Sequence, residues 1–139
     1  MFLGIDPGKS GALALLDGTS IETHSLADGL TATAEWFESN SHRVHQAVLE
    51  KVHSMPGQGV SSTFKFGTSY GQLQALLVAN HIPYILVAPQ VWQRVMDCRT
   101  GGDKNITKRA AQVLHPELKV THRTADAILL AHYASRLND

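Results

Sequence analysis

The chain holds very little that would staple it or carry it across a membrane. Of its 139 residues only one is cysteine, Cys98, which excludes an internal disulfide and leaves no partners for a cysteine-built zinc site. Its apolar runs, such as Ala12 to Leu16 and Tyr84 to Ala88, fall far short of the ~20 residues that cross a bilayer as a helix. No basic segment leads into an apolar stretch near the start, so no signal peptide is expected, and a reducing, cytoplasmic compartment is the expected location. Charge of one sign is missing too: 12 basic side chains balance 12 acidic ones. Repeats, low-complexity tracts and linker-like segments are absent. What remains, 43% hydrophobic and 17% charged, describes a single globular domain over 1–139 that can bury a full core.

The balance of charge hides an uneven distribution. Residues 1–93 carry four basic side chains against seven acidic ones, whereas residues 94–123 carry seven basic against three acidic. A basic stretch beside an acidic site is what a phosphate-handling protein needs. On charge alone, a solvated helix and loop would look the same.

Three strand-like runs come first, Phe2–Asp6, Ala12–Asp17 and Ser20–Ser25, and Asp17-Gly18 provides a hairpin turn between the second and third. A helix is expected over 30–40, with Leu30, Ala34 and Phe37 on one face. Val44 to Leu49 reads as a fourth strand, again ending in a carboxylate, Glu50. A Gly/Pro/Ser-rich loop follows over 53–62, then a long helix from about Thr63 to Asn80 with Tyr70, Leu73, Leu76 and Leu77 at helical spacing. Tyr84 to Ala88 is a fifth strand, closed by Pro89, and helices fit 89–96, 105–114 and 122–137. Hairpins first and crossovers afterwards predict an α/β fold with a five-stranded mixed sheet, strands 1, 4 and 5 parallel and flanked by helices. Strands 1 and 4 then lie side by side, and Asp6 and Glu50 meet at their carboxyl ends.

Asp6 closes an apolar strand and is followed at once by a sharp break at Pro7 and Gly8; Gly11 lets the backbone pass close to something. A carboxylate ending a buried strand is costly without a cation or hydrogen-bond donors. A third acid, Asp126, sits in the apolar stretch Ala125 to Ala131 of the last helix. Alone it would read as a first-turn acid favoured by the helix dipole. Two strand-end acids and one helix acid converging on one spot repel one another unless cations neutralise them. Hard oxygen ligands with open positions suit Mg²⁺ or Mn²⁺, and two such ions about 4 Å apart can hydrolyse a phosphodiester.

The sequence resembles a known family in several segments that run in order along the chain. Gly4-Ile5-Asp6-Pro7-Gly8, the strand-end Glu50, Tyr70-Gly71-Gln72-Leu73, Ala88-Pro89-Gln90-Val91-Trp92, Thr100-Gly101-Gly102-Asp103-Lys104 and Ala125-Asp126-Ala127 are similar to the RuvC-type Holliday-junction resolvases of the RNase H-like superfamily. The short chain is most like bacteriophage or prophage members. The resemblance implies an RNase H-like fold and a metal-dependent endonuclease that resolves four-way DNA junctions. It also implies one or two Mg²⁺ or Mn²⁺ ions held by Asp6, Glu50 and Asp126, and a lysine, Lys104, near the scissile phosphate. Where the family often has an Asp or His, three positions before its last acid, this chain has Arg123. His122, four positions before Asp126 and so on the same helical face, can take that role.

Lys108, Arg109 and Arg123 join Lys104 as expected contacts to the DNA backbone, although Lys104 also fits an ordinary exposed position before a helix. Met55, Phe64 and Phe66 either reach unstacked bases or anchor the long helix to the core. His53, three residues beyond Glu50, stands near the expected site; the remaining histidines show no metal-ligand spacing. Cys98 beside Arg99 is expected to have a lowered pKa. Paired incisions of a junction call for a two-fold dimer, and Gly67, Gly71 and Ala75 form a small-residue stripe that would let two long helices approach. An RNA-directed or flap nuclease would share the same acids, and a sugar-kinase or actin-like ATPase shares the first motif but needs two such domains. A non-catalytic junction-binding protein would be expected to have lost one of the carboxylates.

Overall fold

The computed structural model describes residues 1–52 and 57–139, so His53 and Met55 lie outside the described residues. Five strands form a single sheet: β1 (Phe2–Asp6), β2 (Ala12–Asp17), β3 (Ser20–Ser25), β4 (Gln46–Glu50) and β5 (Tyr84–Val87). Their spatial order is β3-β2-β1-β4-β5. Strand β2 is antiparallel to both β1 and β3, while β4 runs parallel to β1 and to β5. The helices are α1 (Leu30–Asn40), α2 (Val60–Ala79), α3 (Pro89–Val95), α4 (Lys104–Leu114) and α5 (His122–Leu137).

The period-2 geometry of strands divides the core in two. Leu3, Ile5, Leu13, Leu15, Ala47 and Leu49 face Phe37 of α1 and Leu73 and Leu77 of α2. Ala12, Ala14, Leu16 and Val48 face the other way, against Trp92, Ala111 and the buried run of α5. The middle of the sheet is covered on both sides, which explains why β2 is apolar at every position from Ala12 to Leu16. At the edge, β5 leaves Ile85 and Leu86 about two-fifths exposed.

Helix α5 is buried at Ala125, Ala127, Ile128, Leu129, Leu130, Ala131, Tyr133 and Ala134. A helix apolar almost all round must be enclosed, and this one is packed between the sheet and α4. Its start is fixed by a capping box: Thr121 and Thr124 exchange side-chain and backbone hydrogen bonds at 3.2–3.3 Å. No helix among the described residues is long and apolar enough to cross a membrane.

Several sequence expectations shift. The fourth strand begins at Gln46 rather than Val44 and includes Glu50, because residues 41–43 form a 3-10 turn whose Ser41 carbonyl accepts the Val44 amide. Helix α2 starts at Val60, three residues early, since Gly59 is extended and the Thr63 amide reaches back to the Gly59 carbonyl at 2.9 Å. Of the expected face of α1, Phe37 is buried but Leu30 is 49% exposed, and Thr33 is buried alongside Phe37. Phe64 is 75% exposed and anchors nothing, whereas Phe66 is partly buried and stacks on Tyr70 with centroids 6.5 Å apart.

Candidate active site

The turn after β1 is tight, with the Gly11 amide donating to the Gly8 carbonyl at 3.2 Å. The backbone that Gly11 must pass is the strand end itself: a Cβ there would collide with the Asp6 carbonyl. Ile5 pairs with Leu49 across the parallel β1–β4 ladder, so Asp6 and Glu50 come next on neighbouring strands. Strand alternation sends both to one face. Asp6 follows Gly4 by two residues and Glu50 follows Val48 by two, and Gly4 and Val48 both face α5. Asp126 lies on α5 in its second turn, past the first turn in which a helix dipole alone would account for an acid.

The three carboxyls are partly buried and feel one another's charge. Burial, with repulsion from Glu50 and Asp126, holds the Asp6 carboxyl well above its ordinary value, while Lys104 pulls the other way. Burial lifts Glu50 to about 7 against the opposing hydrogen bond from Trp92, and Asp126 adds to the rise. Asp126 is raised by burial and held back by Thr107, Lys104 and His122. Asp6, Glu50, Asp126, Lys104 and His122 thus share one electrostatic neighbourhood. Among the described residues, no three His, Cys, Asp or Glu side chains stand close enough together to hold a metal ion. The chemistry of the three acids nonetheless suits a hard divalent cation: carboxylate oxygens, partly buried and mutually repelling.

Lys104 is the first residue of α4 and is exposed; Asp103 caps the helix by accepting the Asn105 amide at 2.9 Å. Lys108 follows one turn later on the same face. Arg109 turns instead toward a shallow groove of about 360 Å³ that it lines with Asp97, Cys98 and Arg136. Arg123 is exposed and donates to Ser25 Oγ at 2.9 Å, at the end of β3. The expectation for Cys98 is overturned: the thiol is buried, and burial together with Asp126 and Asp97 pushes it up to about 11 despite nearby Arg136.

Two buried side chains reach the acids without having been assigned a role from sequence. Trp92 is fully buried and its indole Nε1 donates to Glu50 Oε2 at 2.9 Å. The buried Thr107 hydroxyl stands 3.2 Å from the Lys104 carbonyl and within reach of Asp126. For Trp92 the available signal was its place five residues after Val87, the end of the strand that pairs with Glu50. For Thr107 the signal was its helical spacing from Lys104.

No sequence-family model matches the chain, and no curated protein matches it. Solved structures do. A structure of Thermus thermophilus RuvC superposes with a TM-score of 0.62 at 12% identity, covering 99% of this chain and 96% of that one. T. thermophilus RuvC in complex with a Holliday junction substrate gives 0.63 at 13%, covering 98% and 95%. Agreement over nearly the whole of both chains at so low an identity is agreement of architecture. With its β3-β2-β1-β4-β5 sheet and enclosed C-terminal helix, the chain has the RNase H-like fold in its RuvC form.

Proposed function

We propose that this protein is a structure-selective endonuclease that hydrolyses phosphodiesters in branched DNA, four-way junctions above all, with Mg²⁺ or Mn²⁺. The observation that carries the reading is the set of three mutually repelling carboxyls, Asp6, Glu50 and Asp126, on the α5 face of the sheet in a RuvC-like fold. Asp6, Glu50 and Asp126 would hold one or two ions, with His122 at the rim. The chemistry such ions supply when bound is activation of a water and stabilisation of the leaving oxygen.

The chain's own groups prepare that reaction. Partial burial keeps bulk water from screening the carboxylates, so their attraction for a cation is strong. Lys104 offers an ammonium to the phosphate as negative charge builds on it. Lys108 and Arg123 extend the positive surface that the DNA arms would follow, while Arg109, turned toward its own groove, stands apart from it. With water attacking phosphorus and the 3′ oxygen leaving with its bonding pair and taking up a proton, the products carry 5′-phosphate and 3′-hydroxyl ends.

A two-fold dimer completes the proposal, because two symmetric incisions need two sites related by one axis. Its support is a single stripe along α2 in which Val60, Phe64, Gly67, Gly71, Ala75 and Val78 are all exposed. These positions recur at helical spacing, and Cβ atoms built on Gly67 and Gly71 meet nothing within 4 Å. The stripe is free of its own sheet and open to a second copy.

The test is turnover with Mg²⁺ on a four-way junction, a flap, a linear duplex and an RNA–DNA hybrid of equal length. Junction cleavage should dominate, and Asp6→Asn, Glu50→Gln and Asp126→Asn should each abolish it while leaving junction binding intact. Wild-type rates in all three variants would remove the site assignment. Preference for the hybrid would move the protein to the RNA-directed nucleases.

A further inference from the structure

Trp92 occupies an unusual place for a core aromatic. Its ring has no exposed surface, so its indole N–H requires an internal acceptor. The acceptor is the Glu50 carboxylate, at 2.9 Å and 42 residues away in the chain. The route is short in space. Val87 at the end of β5 is the register partner of Glu50, and the Lys51 amide donates to the Val87 carbonyl at 2.8 Å. Ala88 is extended, Pro89 opens α3 at its first turn, and that turn brings Trp92 back beside Glu50. Proline at this point fixes the backbone angle at which the chain leaves the strand. The indole is enclosed with Met96, Ala125 and Leu129 in the core beneath α5, which leaves the ring no freedom to follow a moving carboxylate.

We propose that Trp92 is a positioning residue for the metal site: its rigid indole N–H clamps Glu50 Oε2 and so aims the remaining carboxylate oxygen, Oε1, at the space shared with Asp6 and Asp126. This deepens the metal-dependent reading of that site and rests on it. A glutamate has three rotatable bonds, and one hydrogen bond from an immobile donor removes most of that freedom before an ion arrives. Hydrogen bonds from groups behind the ligands commonly change metal affinity by about 10–100-fold when they are removed.

The decisive experiment follows the two indole N–H signals, Trp36 and Trp92, in protein labelled with ¹⁵N-tryptophan as Mg²⁺ is added, alongside calorimetry of Mg²⁺ binding. The Trp92 signal, assigned by its displacement in Glu50→Gln, should move in step with binding while that of Trp36 stays. In Trp92→Phe, which keeps a buried ring but deletes the donor, the Mg²⁺ dissociation constant should rise about 10-fold. Cleavage in that variant should recover when the metal concentration is raised, as expected for lost positioning and not for lost chemistry. Should Trp92→Phe fail to fold, the titration of the wild-type indole decides alone. Mg²⁺ binding with a stationary Trp92 signal overturns this inference and leaves the site assignment standing. Absence of Mg²⁺ binding to the wild-type protein overturns the site assignment and this inference with it.

Discussion

Gly4 lies so close beneath Ala127 that a single added carbon would collide with the Ala127 carbonyl and the Ala131 amide. This contact sets the height of α5 over β1, and it is made two residues before Asp6 and one after Asp126. The atoms in the way are backbone within a helix and cannot step aside as a side chain would. Gly4→Ala should therefore destabilise the protein by about 3 kcal/mol or more. Among molecules that still fold, Asp126 should be displaced from Asp6, and Mg²⁺ affinity should fall more than DNA binding does. Thermal denaturation and metal calorimetry on the one variant measure both effects.

The three acids proposed as the site should cost the protein stability in the absence of divalent ions. Glu50 titrates near 7 in the folded chain, above the 4.5 of a free glutamate. A raised folded value means that the associated stability is complete below pH 4.5 and is lost as pH rises through 7. Glu50→Gln escapes that loss, and without divalent ions it should exceed wild type by up to about 3 kcal/mol above pH 7. Asp6→Asn should act in the same direction, because burial and its two acidic neighbours raise Asp6 as well. Adding Mg²⁺ should raise the melting temperature of wild type and not of these variants. Equal stability of wild type and Glu50→Gln across pH 5–9 would contradict the electrostatic account.

The α2 stripe yields a prediction about assembly. Gly71→Arg places a large charge where nothing of the monomer stands within 4 Å, so the fold should survive. Sedimentation should show a dimer for wild type and a monomer for the variant. On a junction, the monomer should make single nicks that are not paired in time.

Lys104 influences both Asp6 and Asp126 from the first turn of α4. Lys104→Ala should slow cleavage of bound junction and reduce the log–log salt slope of binding by roughly 0.9 if one duplex phosphate contact is lost. Lys108→Ala should change the salt slope alone. Fluorescence anisotropy at several salt concentrations, paired with single-turnover cleavage, separates the two.

Away from the site, His115 is fully buried and bridges Glu117 at 3.0 Å and His132 Nε2 at 2.8 Å. Two facing imidazole nitrogens need one proton between them, and a second would be repelled. Burial first, then His115 and Arg136, hold His132 down at about 4. A depressed folded value means this stabilisation is present above pH 6.5 and is lost as pH falls toward 4, opposite in sign to Glu50. Comparing wild type with His132→Gln from pH 7 to pH 4 isolates the effect: the wild-type advantage should shrink as the solution is acidified.

Much of this molecule was legible in the chain. The run Phe2–Asp6 followed by Pro7 and Gly8, the hairpin at Asp17-Gly18 and the apolar run Ala125 to Ala131 are signals that act over a few residues, and those elements form where they were expected. The parallel placement of β1, β4 and β5 followed from the crossovers, and strand alternation put Gly4 and Asp6, or Val48 and Glu50, on one face. Sequence therefore determined the fold class and the placing of Asp6 and Glu50 at the same end of neighbouring strands. It could not place the first turn of α2, because Val60 to Ser62 carry no apolar periodicity and the helix there is held by backbone bonds. Nor could it give the direction in which Cys98 titrates, since Arg99 is its neighbour in sequence while burial and Asp126 act on it through space. Trp92 meeting Glu50 and His115 meeting His132 join residues 42 and 17 apart. Only the tertiary structure decided these, because an enclosed N–H or imidazole takes whichever partner the packing of α3, α4 and α5 against the sheet brings within 3 Å, and no local pattern in the chain records that choice.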